Sequence, residues 1–594
     1  VTESVRILLS TRHCPCADRD VPLVGFPGKL PARSGDDVEH ALHSSSSRPS
    51  YVGHDLPRSD AMQQVDSPIL DGVSDRPHWD PRAHTFVRAF TLDGAVVDRC
   101  LTDLFSQAET LADVDGETPG EKVAVIEFLL ALCYASGTYP VSAEDWQQWL
   151  QSEHPLDKVA SWLAEQPDND WDLFHPTRPL GQNALLSGFL SEHGTGPAQL
   201  VIERSGDYSQ LADHHHLHHP DPLPAAKAYR ALLTQHVFGL SGRARISGQA
   251  TLGPTITNLA TGRLGGRIRV LALGGTLGQT LRLNLTPTTD DPRLLNLTWT
   301  QSRIERRGFG RKPPPRTVEG YADLHSYLGR SVLLQPKPGL SGDLAVVDRV
   351  LIGAGELLEL DPKKHLQDAV LSETRQGQVK PLWPSATRDL WREAHALYAA
   401  VESRSGGLYE RLALLPKDGG TKRRPVQLLA VGLLSAKSTP VGWVTSVFPF
   451  APGMAPVLYQ ASLRGSQVAE HLARSLDRAA FKAWEVMFPN PKPADKKAQI
   501  SRFDARAEQW KATEVPFRTL LEDVAEGASV ADCMPEYTQW LVESAEELLQ
   551  QRLDALPDNG RGRRARAAAH RGFTDFLTGP KAPPDIRNSM NGEA

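Results

Sequence analysis

The stretch that most limits the fold of this 594-residue chain is "VAVIEFLLALCYA", Val123 to Ala135. It carries one charge, Glu127, and falls short of the roughly 20 apolar residues that span a bilayer. The run therefore reads as a helix buried in protein, not as a membrane anchor. Such a helix needs a sizeable core around it, and a chain of this length holds two or three domains. The N-terminus has Arg6 and a short apolar patch without signal-peptide architecture. The five cysteines, Cys14, Cys16, Cys100, Cys133 and Cys533, form no C-x-x-C pair. That spacing argues against a zinc ribbon or a disulfide framework and for a reducing, cytoplasmic setting.

The chain changes character along its length. Residues 1–84, with "RSGDDVEHALHSSSSRPS", are polar and Ser-rich and read as an atypical, disordered extension. A strand pair is expected around Asp93-Gly94, then a helix carrying Leu101, Leu104 and Phe105, and two Trp-rich helices, "AEDWQQWLQS" and "DKVASWLAEQ". The middle alternates Gly-rich loops with β-type runs, "GRIRVLALGG", "TLRLNLTP", "SVLLQP" and "LAVVDRVLIGAGELLEL". After Pro456 the pattern turns helical: Leu472, Leu476, Ala480 and Trp484 form one apolar stripe and Tyr537, Trp540, Leu541, Leu548 and Leu549 another. Further helices are expected near 501–526 and 561–578. The fold class is thus α+β: a mixed α/β region over 85–455 with Gly-rich loops, a four-helix bundle over 456–580 and a disordered tail over 581–594.

The net charge of −6 does not by itself suggest a nucleic-acid partner. Its distribution does. Between Pro222 and Thr289 there is no Asp or Glu, while Lys227, Arg230, Arg243, Arg245, Arg263, Arg267, Arg269 and Arg282 are present. "RIERRGFGRKPPPR" and "PKDGGTKRRP" add further basic runs. Stripes of this kind are the footprint of a polyanion surface or of a solvated face.

One segment invites a metal. "SGDYSQLADHHHLHHPDPLP" places His214, His215, His216, His218 and His219 together, and imidazole is the commonest protein ligand for zinc, nickel and copper. No H-E-x-x-H or comparable spacing accompanies them. "GLSGR" and "GRLGGR" lack the Lys-Ser/Thr of a P-loop. No cofactor and no resident metal are expected. A metal-dependent nuclease or phosphohydrolase built on His214, His216, His218 and Asp221 stays open as the enzymatic alternative, and a helical protein scaffold as a third class.

Taken in order, "DWDLFHPTRPLGQ", "RSGDYSQLADHHH", "AYRALLTQHVFGLSGRAR", "GGTLGQTLRLNLTP", "YADLHSYLGRSVLLQP", "DLWREAHAL" and "VGLLSAKSTPVGW" resemble the large subunit of the type I-E CRISPR surveillance complex, Cascade, from about residue 90 to about 580. The resemblance implies a non-catalytic subunit of a ribonucleoprotein, with the guide RNA, other Cascade subunits, target duplex DNA and a helicase-nuclease as partners. It implies recognition of a short motif flanking the target and help in opening the duplex. It also implies nucleic-acid contacts at Leu211, Ala212, Asp213 and His214, and at a glycine loop with Gly239, Ser241 and Gly242. Arg243 and Arg245, in the acid-free tract, are candidate phosphate contacts. Where the family carries a wedging Gln, this chain has Lys437, followed by Ser438. Lysine cannot accept a hydrogen bond, so readout there is expected to differ. The cysteine cluster of some relatives is absent.

Overall fold

In a computed structural model the apolar run lies within a helix, Pro119–Ala135. Thr118 starts it by accepting the Glu121 N–H, with proline in the first turn. Every residue from Val123 to Tyr134 is buried, because the helix packs against the Ala225–Phe238 and Tyr321–Ser326 helices and the central sheet. The structure describes residues 77–591 except 152–155, 205–220, 245–256, 292–294, 300–314, 340–344, 361–370, 374–378, 405, 417–425, 437–438 and 490–491. All of these described residues belong to one unit, Ser74–Ala594. Among them, no helix is long and apolar enough to cross a membrane.

The expected hairpin is present. Val87–Thr91 pairs antiparallel with Val96–Arg99 across a turn in which Gly94 takes φ 86°, a conformation that favours glycine. Leu111–Asp115 pairs on the other side of the first strand. The helix Leu101–Ser106 buries Leu101, Leu104 and Phe105, and Trp146 and Trp149 of the Ala143–Gln151 helix are buried.

A three-stranded antiparallel sheet divides the molecule. Val426–Ala436 is its middle strand, with Thr439–Phe450 on one side and Ile268–Leu273 on the other. Successive side chains of a strand point to opposite faces, and here both faces are covered. Leu271, Leu429, Val431 and Leu433 join the core around the Pro119–Ala135 helix. Ile268, Val270, Ala272, Leu428 and Ala430 join a second core that continues into the C-terminal helices. A second antiparallel sheet pairs Val346–Ala354 with Arg330–Lys337 and with Leu223–Pro224.

One expected β run is a helix. The "TLRLNLTP" segment falls largely within Leu277–Asn284. Thr276 accepts the Gln279 N–H and Gln279 Oε1 accepts the Gly275 N–H, a reciprocal cap that starts a helix and outweighs the alternating pattern that follows.

The C-terminal region is the expected bundle. Ala455–Met487 packs against Arg506–Ala525, Val530–Asp554 and Gly560–Leu577. Ser529 and Asn559 cap two of these helices through side-chain oxygens. Leu472, Leu476, Ala480 and Trp484 are buried as a stripe. Trp540, expected in the second stripe, is 43 % exposed, because Tyr537, Leu541 and Leu549 already fill the inward face of that helix. The tail expected to be disordered contains a helix, Pro584–Asn591, held by buried Ile586 and by an ion pair from Asp585 to Arg464.

Candidate nucleic-acid interface

The glycine loop begins where the Ala225–Phe238 helix stops. Gly239 closes that helix, its N–H donating to Gln235 O, so this glycine has the helix-ending role as well as its place in the loop. Gly242 and Arg243 then pair with Leu259 and Asn258 in a short antiparallel ladder, leaving Ser241, Gly242 and Arg243 exposed.

The loop rests on a buried cation. The Arg330 guanidinium donates to Ala260 O at 2.6 Å, Leu240 O at 2.7 Å and Gly329 O at 2.9 Å. A Cβ on Gly239 would run into that guanidinium, so glycine is required there for close approach. Carbonyls rather than a carboxylate hold Arg330, and burial pushes its pKa down to about 10. Its backbone N–H donates to His236 Nδ1 at 3.2 Å, while His236 Nε2 lies 2.9 Å from Gly181 O. These contacts suit a neutral imidazole with the proton on Nε2, and burial lowers the His236 pKa to about 4.

Opposite the loop stands the hairpin of the central sheet. Its pairing runs out to Ala436 opposite Thr439, and Lys437 and Ser438, between them, lie outside the described residues. A cleft of about 260 Å³ is lined by Ser241, Gly242, Arg243 and Ala244 from the loop, by Thr439 and Pro440 from the hairpin, and by Gln235 and Arg330. The glycine loop and the neighbours of Lys437 and Ser438, almost 200 residues apart in the chain, thus share one concave surface. Leu211, Ala212, Asp213 and His214 lie in 205–220, and Arg245 in 245–256, both outside the described residues. The same holds for His216 and His218. Among the described residues, no group of three or more His, Cys, Asp or Glu side chains is placed to hold a metal ion.

The acid-free tract is not acid-free in space. Lys227 and Arg230 pair with Glu117, and Arg230 also with Glu121 at 2.7 Å. Arg263 and Arg269 meet at Glu127, and Arg282 pairs with Glu109. Arg316, at the end of the second basic run, is held by Asp323 and Glu356. The expectation of an outward positive face along the whole tract is corrected accordingly. Most of its charge balances carboxylates from elsewhere, whereas Arg243 is exposed at the cleft.

The Glu127 cluster was not visible as a unit in the sequence. His325 Nδ1 lies 2.6 Å from Glu127 Oε2, and Arg269 Nε donates to Oε1 at 2.6 Å. Burial alone would raise the Glu127 pKa, but Arg263, Arg269 and His325 outweigh it and hold the carboxyl well below the usual range. The available signal was a charge inside each apolar run, Glu127 in "VAVIEFLLALCYA" and Arg269 in "GRIRVLALGG", since a charge kept in a core requires a partner.

Comparisons with known proteins agree with this architecture. The sequence matches the family described as CRISPR-associated protein Cse1 (CRISPR_cse1) over residues 87–554. No curated protein matches the chain. Thermus thermophilus CasA is similar in structure with a TM-score of 0.68 at 20% identity, covering 84% of this chain and 99% of that one. Thermobifida fusca Cse1 gives 0.67 at 20% identity, covering 87% and 99%. A chain of a CRISPR RNA-guided surveillance complex gives 0.64 at 21% identity, covering 84% and 100%. With the family matched across most of its length and the fold shared from end to end of these relatives, the chain belongs to the CRISPR-associated Cse1 (CasA) family.

Proposed function

We propose that this chain is the large subunit of a type I-E Cascade complex, working in the cytoplasm with the guide RNA and the other subunits and carrying no chemistry of its own. In this reading the cleft receives target duplex DNA beside the guide-paired segment and recognises the flanking motif. The hairpin then helps to part the first base pair, and the subunit recruits the helicase-nuclease. The observation that carries the reading is the meeting of Ser241, Gly242 and Arg243 with Thr439 and Pro440 across one cleft. At Gly242 the absence of a side chain allows the backbone to approach a groove or phosphate, and Thr439 and Pro440, next to the position where a wedge would act, line the same cleft. Family membership and the likeness to a chain of an RNA-guided surveillance complex support the assembly.

The test is R-loop yield in the reconstituted complex on relaxed, negatively supercoiled and pre-melted targets. Unstacking a base step costs a few kcal/mol, and the latter two substrates arrive with part of that cost already met. Lys437→Ala should therefore reduce yield most on relaxed duplex. An equal loss on all three would make Lys437 an ordinary binding contact and move the wedge elsewhere.

A further inference from the structure

Trp443, the last residue of "VGLLSAKSTPVGW", occupies a junction of three elements. It sits opposite Leu433 in the central hairpin, six residues beyond Lys437. Its Nε1–H donates to Glu203 Oε1 at 2.6 Å, and Glu203 lies at the root of the 205–220 segment that includes Leu211 to His214. The indole packs edge-to-face on Phe238, with ring centroids 4.8 Å apart at 85°. Phe238 is the last residue of the helix that ends in the glycine loop. On another side the ring covers Gly120, where a Cβ would collide with Trp443 Cη2, Cζ2 and Cζ3.

We propose that Trp443 is a positioning residue that couples the hairpin to the glycine loop and to the root of the 205–220 segment, so that the cleft acts on DNA as one unit. This rests on the reading of the cleft given above. The physical basis is that one rigid side chain touches the described root of each element. The packing of a half-buried indole on the buried Phe238 ring and a hydrogen bond to a carboxylate both depend on geometry, so displacement of the hairpin is felt at Phe238 and Glu203. Contiguous packing of this kind is the physical form that coupling takes, and a double-mutant cycle measures it.

The experiment is a cycle of Arg243→Ala and Lys437→Ala, scored by R-loop yield on relaxed duplex in the reconstituted complex. It is run in the natural chain and in Trp443→Phe, which keeps a ring against Phe238 but loses the indole N–H and the outer ring atoms. In the natural chain the two changes should depart from additivity by about 3-fold or more, and in Trp443→Phe they should combine to within about 2-fold. Gly120→Ala supplies a second perturbation that touches neither cleft wall. It should weaken the coupling in the natural chain and have no further effect in Trp443→Phe, whose shorter ring leaves room for the methyl. Coupling that survives both Trp443→Phe and Gly120→Ala overturns the inference while leaving the cleft reading intact. Arg243→Ala and Lys437→Ala that are each silent overturn the cleft reading and the inference with it.

Discussion

His236 lies under the glycine loop and makes the stability of this region depend on pH. Burial, with Arg330 adding to it and the Gly181 carbonyl opposing it, lowers its folded pKa from 6.5 to about 4. Because the folded value is the lower one, the unfolded chain takes up the proton first as the solution is acidified. The contribution is therefore complete above the unfolded value and is lost as pH falls from about 6.5 toward about 4. At about 1.36 kcal/mol for each tenfold change in proton affinity, the whole window is worth about 3 kcal/mol, and about 2 kcal/mol of it is gone by pH 5. Burial lowers the pKa of His325, His395 and His471 as well, so the informative quantity is the difference between the natural chain and His236→Gln. Glutamine keeps one acceptor and one donor for Arg330 N–H and Gly181 O and does not titrate. Urea unfolding at pH 7.5 and pH 5 should show the stability advantage of the natural chain over His236→Gln shrinking by about 2 kcal/mol. An advantage that is the same at both pH values would mean that His236 is already protonated in the folded protein, and the hydrogen-bond assignment to Arg330 would fall with it.

Three further outcomes are expected. Glu127→Gln removes the carboxylate that Arg263, Arg269 and His325 share, and should cost about 3–5 kcal/mol in urea unfolding; a loss under about 1 kcal/mol would show that the charges find other balance. Leu541→Ala should cost about 2–5 kcal/mol, since Leu541 is fully buried in the bundle, while its exposed neighbour Trp540 should be replaceable by Ala within about 0.5 kcal/mol. In duplex binding by the assembled complex, Arg243→Ala should flatten the dependence of log affinity on log salt by about one. Lys227→Ala, which removes a cation paired with Glu117, should leave that slope unchanged, and equal slopes for the two variants would remove the distinction drawn between inward and outward charge.

Much of the fold was legible because its signals are local. The Asp93-Gly94 turn, the stripe of Leu472, Leu476, Ala480 and Trp484, and the burial of Val123 to Tyr134 each follow from periodicity, apolar composition or turn chemistry within a few residues. The failures have the same origin. "TLRLNLTP" alternates like a strand, yet its start is set by Thr276 and Gln279, so capping chemistry overrode the period. Trp540 has helical spacing but is displaced from the inward face by Tyr537 and Leu541. Its exposure depends on where the neighbouring helices stand, and one helix read in isolation does not contain that information. Among the described side chains of Pro584–Asn591, Ile586 alone is buried, too little to raise a periodic signal for the last helix.

The site was legible in its parts and not in its connections. The glycines of 239–242 and the Lys437 position were singled out by the family resemblance, motif by motif along the chain, but the meeting of the glycine loop with Thr439 and Pro440 across a cleft depends on the pairing of strands and the seating of the Arg330–Lys337 strand beneath the loop. Charge was the most misleading local signal. A tract with no acid of its own suggested an outward field, whereas Glu109, Glu117, Glu121 and Glu127 reach its cations from other elements. Linear charge density constrains a surface only after the folded partners are subtracted. Arg330 shows the converse. It looks like any basic residue in "YLGRSVLLQP", yet the fold surrounds it with carbonyls and, among the described residues, pairs no carboxylate with it beneath the loop. The positive potential at the cleft therefore has two sources of different kind, an exposed arginine that salt can screen and a buried one that salt screens far less. If the cleft takes duplex DNA as proposed, a salt titration of duplex affinity should lose its high-salt share in Arg330→Ala and its salt-sensitive share in Arg243→Ala.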